Sequence, residues 1–461
     1  MARMLFGTDG IRGVAGDPPL DHPTVYAVGV ALGRYLTQSR KDPRVVIGQD
    51  TRESSWWICD SITEGLQSAG VQVRSAGVIT TPAVAFLARQ AYDAGIVISA
   101  SHNPWTDNGI KVFGHDGYKL SDSVEEQIET VIFDLLHGRA AGFDPAKIPA
   151  PKTLTRGAST TDPELLFDYV KWLAAQVAGT KLSHLNVLVD CANGAATPVA
   201  HDVFRASGIQ ATFIHDQPDG RNINENCGAL HPQIVAAKVA ESNGKFDMGV
   251  TFDGDADRAL FSDKNGNVVN GDAVLLLAGR DLKSRGKLKA ETVVATTMSN
   301  MGLEIALRGS GIRMLRAPVG DKYVLEEMFK TGATLGGEQS GHIIFRDGDA
   351  TTGDGILTAL RVIEAMTHAE RPLHELVGDL KVFPQTIKNV RVKEKKPLDS
   401  LPEVVTAMKQ GDTELSGNGR IVVRYSGTEA LARVMVEAES EEKMKRITDA
   451  IAGAIQKAIG I

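Results

Sequence analysis

Three aspartates at alternate positions, Asp253, Asp255 and Asp257, stand in the run Asp253-Gly254-Asp255-Ala256-Asp257-Arg258, directly after the apolar stretch Met248–Phe252. Closely spaced carboxylate oxygens suit a hard divalent cation, and three such charges within five residues repel one another unless a cation lies between them. A calcium EF-hand is excluded, because its sixth position would be Arg258 instead of Gly and its twelfth Lys264 instead of Glu. Mg²⁺ keeps part of its shell for water or phosphate oxygen, so the triad plus one oxygen from a phosphorylated side chain makes a coherent ligand set. A metal so placed polarises a phosphoryl group in transfer.

A hydroxyl for that phosphate is at hand. The strand-like run Ala94–Ile98 leads into Ser99-Ala100-Ser101-His102-Asn103-Pro104, a turn closed by Asn-Pro that exposes its hydroxyls. Ser101 is thus placed to be a nucleophile or phosphate carrier. On an extended chain Ser101 and His102 point to opposite faces, so His102 is not expected to act as its base, and the absence of GxSxG weakens a triad further. Lys111, in Asn108-Gly109-Ile110-Lys111, can return across a turn toward Ser101 as an acid/base group or phosphate clamp.

Three more loops carry polar chemistry. Gly336-Gly337-Glu338-Gln339-Ser340-Gly341-His342 can wrap sugar hydroxyls, with His342 available for proton transfer. Arg424-Tyr425-Ser426-Gly427-Thr428-Glu429 offers a guanidinium, hydroxyls and flexible amides, the parts of a phosphate nest. Gly7-Thr8-Asp9-Gly10-Ile11-Arg12-Gly13 sets Arg12 among glycines, where it can meet a phosphate. Taken singly, each has an ordinary reading as a capped turn, an inter-strand loop or a tight turn with a surface arginine. No GxxxxGK[ST] occurs, so a phosphate monoester fits better than a nucleotide.

The elements that must position these loops alternate between strand-length apolar runs (Val45–Gly48, Gly95–Ile98, Val187–Val189, Met248–Phe252, Val293–Thr296) and segments of helical period, the pattern of βαβ units. Gly138–Thr161 reads as a linker. The expected fold is α/β, with three similar mixed α/β domains and a smaller C-terminal α+β domain around a central cleft. The expected domains are 1–150 with the serine loop, 151–252, 253–370 with the metal and sugar loops, and 371–461 with the phosphate loop. Polar clusters at strand ends are where open α/β sheets bind ligands.

The 461 residues, 43% hydrophobic and 23% charged with 47 Gly, fit a soluble chain of several domains. A net charge of −7 gives no global basic field for nucleic acid or anionic lipid, so neither is expected as a partner. Cys59, Cys191 and Cys227 are far apart with no CxxC, which argues against a disulfide scaffold or zinc site and for a reducing cytoplasm. No signal-peptide apolar region and no run of membrane-helix length is present. A homodimer is compatible with this composition.

Taken together, GTDGIRG, SASHNP, DGDADR, GEQSGH and RYSGTE, in this order over essentially the whole chain, resemble the α-D-phosphohexomutase superfamily. Gln339 and Ala317-Pro318-Val319-Gly320-Asp321-Lys322 are similar to its bacterial branch acting on glucosamine phosphates, with the glucose and mannose branches as the alternative. The resemblance implies a phosphoserine at Ser101, Mg²⁺ held by Asp253, Asp255, Asp257 and that phosphate, and Arg258 beside the metal loop. It implies Glu338 and Ser340 on sugar hydroxyls, and Arg424, Ser426, Gly427 and Thr428 as a distal phosphate site with Arg433 near it. Arg12, Lys111 and His342 match positions for phosphate contact or proton transfer, and which is the general base stays open. The implied reaction takes glucosamine 6-phosphate to glucosamine 1-phosphate through a 1,6-bisphosphate, with glucosamine or glucose 1,6-bisphosphate as activator, toward amino sugar for cell-wall precursors. The resemblance leads one to expect prolines at the positions of Tyr425 and Ala430, a departure that bears on the stiffness of this loop. A non-catalytic phosphosugar-binding protein is the other alternative, against which the intact Ser101, Lys111 and aspartates speak.

Overall fold

Parallel strands buried on both faces read as continuous apolar runs, and Val45–Ile47, Ile96–Ile98, Val187–Val189 and Val293–Ala295 are almost wholly buried. The computed structural model describes residues 4–7, 9–140, 144, 148, 161–426 and 430–461. The expected linker and the predicted site residues Gly427 and Thr428 fall largely or wholly outside these.

The first sheet holds β1 (Ile11–Val14), β2 (Arg44–Gln49), β3 (Gln72–Val78), β4 (Ala94–Ile98) and β5 (Asp107–Gly114), in the order β1-β5-β4-β2-β3. β2 pairs parallel with β3 and β4, and β4 turns back antiparallel into β5 with Val97 opposite Lys111. The second sheet comprises β6 (Asn186–Asp190), β7 (Gln210–Ile214), β8 (Met248–Phe252), β9 (Ala259–Asp263) and β10 (Val268–Val269), ordered β10-β9-β8-β6-β7. The third has β11 (Thr292–Thr296), β12 (Arg313–Ala317), β13 (Leu335–Gly337) and β14 (Ile343–Phe345), ordered β12-β11-β13-β14.

One plan is therefore used three times: a central parallel strand flanked by two others, the third of which reverses into an antiparallel partner (β4 to β5, β8 to β9, β13 to β14). The serine, aspartate and sugar loops are the three reversals. The expected division between residues 252 and 253 cuts between β8 and β9, which pair from Phe252↔Ala259 onward. The aspartate loop is the turn of that hairpin and thus belongs with the second sheet.

Two units can be distinguished, one running to Thr297 and resuming at Leu315–Val377, the other made of Met298–Met314 and Gly378–Ile461. The change at Val377 lies beyond the expected 370, because the short helix Leu373–Leu376 goes with the first unit. In the second unit β15 (Gln385–Arg391), β16 (Gly419–Tyr425) and β17 (Leu431–Ala438) form an antiparallel sheet, β15-β17-β16, with helices Pro402–Leu415 and Glu441–Ile459. Its core packs Val434, Val436, Ile451 and Ile455, each burial being worth about 1.5–3 kcal/mol. Asn300 ties helix Met301–Gly309 to this unit by accepting from Phe383 N at 2.9 Å and donating to Phe383 O at 3.0 Å. No described helix is long and apolar enough to cross a membrane.

Candidate active site

Ser101 follows β4 in a left-handed conformation, φ 52°, which costs a non-glycine residue about 1 kcal/mol or more and persists only where its surroundings over-determine it. That turn aims Oγ at the aspartate loop, where it donates to Asp253 Oδ2 at 2.5 Å. It also corrects the expectation for His102. Because Ser101 is not extended, the His102 ring folds back and its Nδ1 lies 3.3 Å from Ser101 Oγ. Burial, with Arg258 and Arg12 nearby, holds His102 below the ordinary histidine range.

Asp253, Asp255 and Asp257 are buried and bring carboxylate oxygens within 4.8 Å of one another. Asp253 Oδ1 accepts from Arg258 N at 3.1 Å, while Asp255 Oδ2 accepts from Thr81 Oγ1 at 2.6 Å and Lys111 Nζ at 2.8 Å. Asp255 Oδ1 and Asp257 Oδ1 are buried with no hydrogen-bond partner. Burial, then Asp257 and Asp255, push Asp253 well above the carboxylate range. Two orphaned oxygens and a third carboxylate driven toward its protonated form are what a divalent cation would resolve, so the residues fit a metal.

Lys111 on β5 is 2% exposed and reaches Asp255, Asp9 at 3.3 Å and Asp257 at 3.5 Å. Burial alone would depress its pKa, but Asp255, Asp9 and Asp257 outweigh burial and raise it above the lysine range. The ammonium stays charged, so a phosphate clamp fits it better than a base. Burial works against ionisation of Asp257 as well, yet Lys111, His342 and Arg258 hold it well below the carboxylate range.

His342, next to β14, accepts from Gly353 N at Nε2, 3.1 Å, which assigns the ring proton to Nδ1 facing Asp257 Oδ1 at 3.7 Å. Although burial opposes it, Asp257, Asp321 and Glu338 raise the ring's basicity. His342 thus stands between Asp257 and Asp321, which lies 3.8 Å from Nε2. Glu338 takes Gly320 N on Oε1 at 2.9 Å and Ser340 Oγ on Oε2 at 3.2 Å. Arg12 pairs with Asp9 and reaches Ala100 O at 3.4 Å.

Three contributors were not singled out in the sequence. Asp9 and Asp321 sandwich Lys119 Nζ, each at 2.7 Å. The signal was partly present, since Asp9 lies in GTDGIRG and Asp321 in the APVGDK segment, but Lys119 sits in an unremarkable turn. A cleft of about 260 Å³ is lined by Asp9, Lys119, Asp257, Arg258, Glu338 and His342. Ser101, 2% exposed, does not line it.

In the second unit Arg424 on β16 is exposed and stands directly across from Arg433 on β17. Like charges opposed across strands are unfavourable. Ser426 is buried and its carbonyl accepts from Lys395 Nζ at 2.7 Å. Tyr425 anchors its hydroxyl on Lys396 O at 2.5 Å.

The cysteines are free and buried. Asp190, His215 and Cys227 do bring donor atoms within 4.8 Å. Asp190 is already taken by the amides of Ala192 and Gly228, and burial pushes the Cys227 thiol up to about 12, which disfavours the thiolate a metal needs.

Comparison with known proteins accounts for the chain from end to end. The phosphoglucomutase/phosphomannomutase alpha/beta/alpha domains I, II and III match residues 3–137, 167–266 and 270–383, and the C-terminal domain of that family matches 387–454. A phosphoglucosamine mutase of Koribacter versatilis is 62% identical, covering 100% of this chain and 98% of the relative. One of Solibacter usitatus is 51% identical over 100% of both. Among solved structures, a phosphoglucomutase/phosphomannomutase family protein of Burkholderia thailandensis superposes with a TM-score of 0.77 at 24% identity, covering 99% of each chain. The Aspergillus fumigatus N-acetylphosphoglucosamine mutase in complex with GlcNAc-6P and magnesium gives 0.63 at 19% identity, covering 99% and 96%.

Proposed function

The chain belongs to the phosphoglucomutase/phosphomannomutase family, and on that premise we propose that it interconverts glucosamine 6-phosphate and glucosamine 1-phosphate through a phosphoserine at Ser101. The substrate reading is supported by the full-length relatives named phosphoglucosamine mutase. The observation that carries the mechanism is the Ser101 hydroxyl donating to Asp253 inside the aspartate triad, with Lys111 bound to the same triad.

Asp253, Asp255 and Asp257 would hold Mg²⁺ together with a phosphate oxygen on Ser101, and the metal would supply charge neutralisation for phosphoryl transfer. The protein does the positioning. As the bond from Ser101 Oγ to phosphorus breaks, a bond from the sugar O1 to phosphorus forms; O1 sheds its proton, and Oγ ends protonated, donating to Asp253. The resulting 1,6-bisphosphate turns over and returns its 6-phosphate to Ser101 by the reverse chemistry. Lys111 neutralises the phosphoryl oxygens, Glu338 and Ser340 take sugar hydroxyls, and Arg12 contacts phosphate. Arg424, Ser426, Gly427, Thr428 and Arg433 form the distal phosphate site, a reading supported by the cross-strand arginine pair. A sugar 1,6-bisphosphate primes Ser101. We read the domain divisions as falling near residue 150, between β10 and β11, and near 377. The cytoplasm is the proposed location, in keeping with three free buried thiols.

The test is ³¹P NMR of the protein with Mg²⁺, a trace of sugar 1,6-bisphosphate and glucosamine 6-phosphate, repeated with glucose 6-phosphate and mannose 6-phosphate. The expected result is a 1-phosphate signal growing fastest from glucosamine 6-phosphate and absent in Ser101→Ala. Faster conversion of another sugar overturns the substrate, and no conversion of any overturns the reaction.

A further inference from the structure

What grips the Ser101 carbonyl comes from two sheets. Arg52, just after β2, is 0% exposed. Its Nη2 donates to Ser101 O at 3.1 Å and Asn103 O at 2.5 Å, and its Nε to Pro104 O at 3.4 Å. Asn224, in the connection that follows β7 of the second sheet, donates from Nδ2 to the same two carbonyls, Ser101 O at 2.9 Å and Asn103 O at 3.2 Å. The Arg52 charge is answered by fully buried Asp50, which pairs with Nη1 and also accepts from Arg52 N at 3.0 Å and Ser55 Oγ at 2.8 Å.

A buried ion pair is a poor source of stability compared with apolar residues of the same volume. This one spends its remaining donors on three carbonyls of a single loop. In a left-handed residue the carbonyl direction and the side-chain direction are fixed together, so holding the Ser101 carbonyl fixes where Oγ emerges. We infer that Arg52 and Asn224 form a two-sided clamp that positions the Ser101 hydroxyl against the metal loop. They are positioning residues, since both hold the Ser101 carbonyl and neither touches its hydroxyl, and the role rests on Ser101 being the phosphate carrier.

Asn224→Asp and Asn224→Gly both tolerate the left-handed backbone at that site, φ 60°, while removing the donor. Arg52→Lys keeps a charge for Asp50 but loses the fork. On the full chain with Mg²⁺, kcat for glucosamine 6-phosphate is expected to fall about a hundredfold in each variant, the cost of roughly an ångström of misplacement, with KM within about threefold of the parent. Amide exchange of the peptide 99–104, followed by mass spectrometry, should accelerate by about tenfold while β2 and β8 keep their protection. Loop exchange equal to the parent in the folded Asn224 variants, or a loss carried by KM, overturns the clamp. If the parent itself converts no phosphosugar, the mutase reading fails, and the exchange result alone then decides the clamp.

Discussion

Replacing Lys111 by Met removes a buried ammonium from the carboxylate cluster, and the structure gives the size of the effect. Asp9 would keep Lys119 at 2.7 Å and its pairing with Arg12, and Asp257 would keep His342 and Arg258. Asp255, fully buried, would retain only the Thr81 hydroxyl. One uncompensated buried carboxylate costs about 3–5 kcal/mol, and partial protonation by the cluster favours the lower figure, about 3 kcal/mol at pH 7. The sign with pH follows from which state holds its protons. In the parent, Asp9 and Asp257 are held below the ordinary carboxylate range, so their contribution is present at neutral pH and is lost only on strong acidification. In the variant a buried carboxylate stripped of its ammonium favours its neutral form, so stability falls as pH rises. The gap between parent and variant should therefore widen from pH 5 to pH 7 in urea unfolding, and Mg²⁺ should narrow it by stabilising the variant more. A gap under about 1 kcal/mol that is flat with pH and indifferent to Mg²⁺ would refute the reasoning, since that is no more than an exposed pair contributes.

Gly254→Ala places a Cβ 2.5 Å from Ser101 O and 2.9 Å from Asn224 Nδ2; kcat should fall about a hundredfold with an overpacking loss of only about 1–3 kcal/mol, and parental kcat with an unmoved loop in a crystal structure would contradict it. Asp354, which accepts from Tyr169 Oη at 2.6 Å, is raised by burial from 3.8 to about 6. Its contribution is full below pH 3.8 and is lost as pH rises through about 6, a loss of about 2 kcal/mol between pH 4.5 and 7 that Asp354→Asn should not show in unfolding free energies measured over that range. Removing metal with EDTA should abolish turnover and lower the unfolding midpoint of the parent but not of Asp255→Asn plus Asp257→Asn, and equal shifts in both would exclude the triad as the metal site.

Much of the site was legible because its chemistry is carried by short contiguous runs: the triad and Ser101 each occupy one loop at a strand end, where residue type and spacing already limit the ligand. The errors arose where geometry departs from the local rule. Alternation along a strand separated His102 from Ser101, but a single left-handed residue reverses that, and nothing in SASHNP other than its turn character signals φ 52°. For His342 the imidazole type alone suggests proton transfer, and the Gly353 amide on its Nε2, eleven residues away, is visible only once folded. Arg52 and Lys119 were passed over for the same reason, each acting on groups brought near by pairing between distant strands.

The division placed at residue 252 shows the deeper limit. A run of helix and strand signals gives the elements but not which reversal belongs to which sheet, and the three βαβ units share no readable sequence repeat. Their likeness lies in strand order, where each sheet's third parallel strand turns antiparallel. Because that reversal is where the chain must leave the sheet edge-on and return, it offers a loop at the strand's carboxyl end whose backbone is pinned on both sides by a hairpin. Used three times, the plan gives one loop for the hydroxyl, one for the carboxylates and one for sugar-directed groups. The chemistry is then set by what occupies the turns: Ser101 strained toward Asp253, Asp255 and Asp257 left with open oxygens, and Glu338 with both oxygens directed by Gly320 and Ser340.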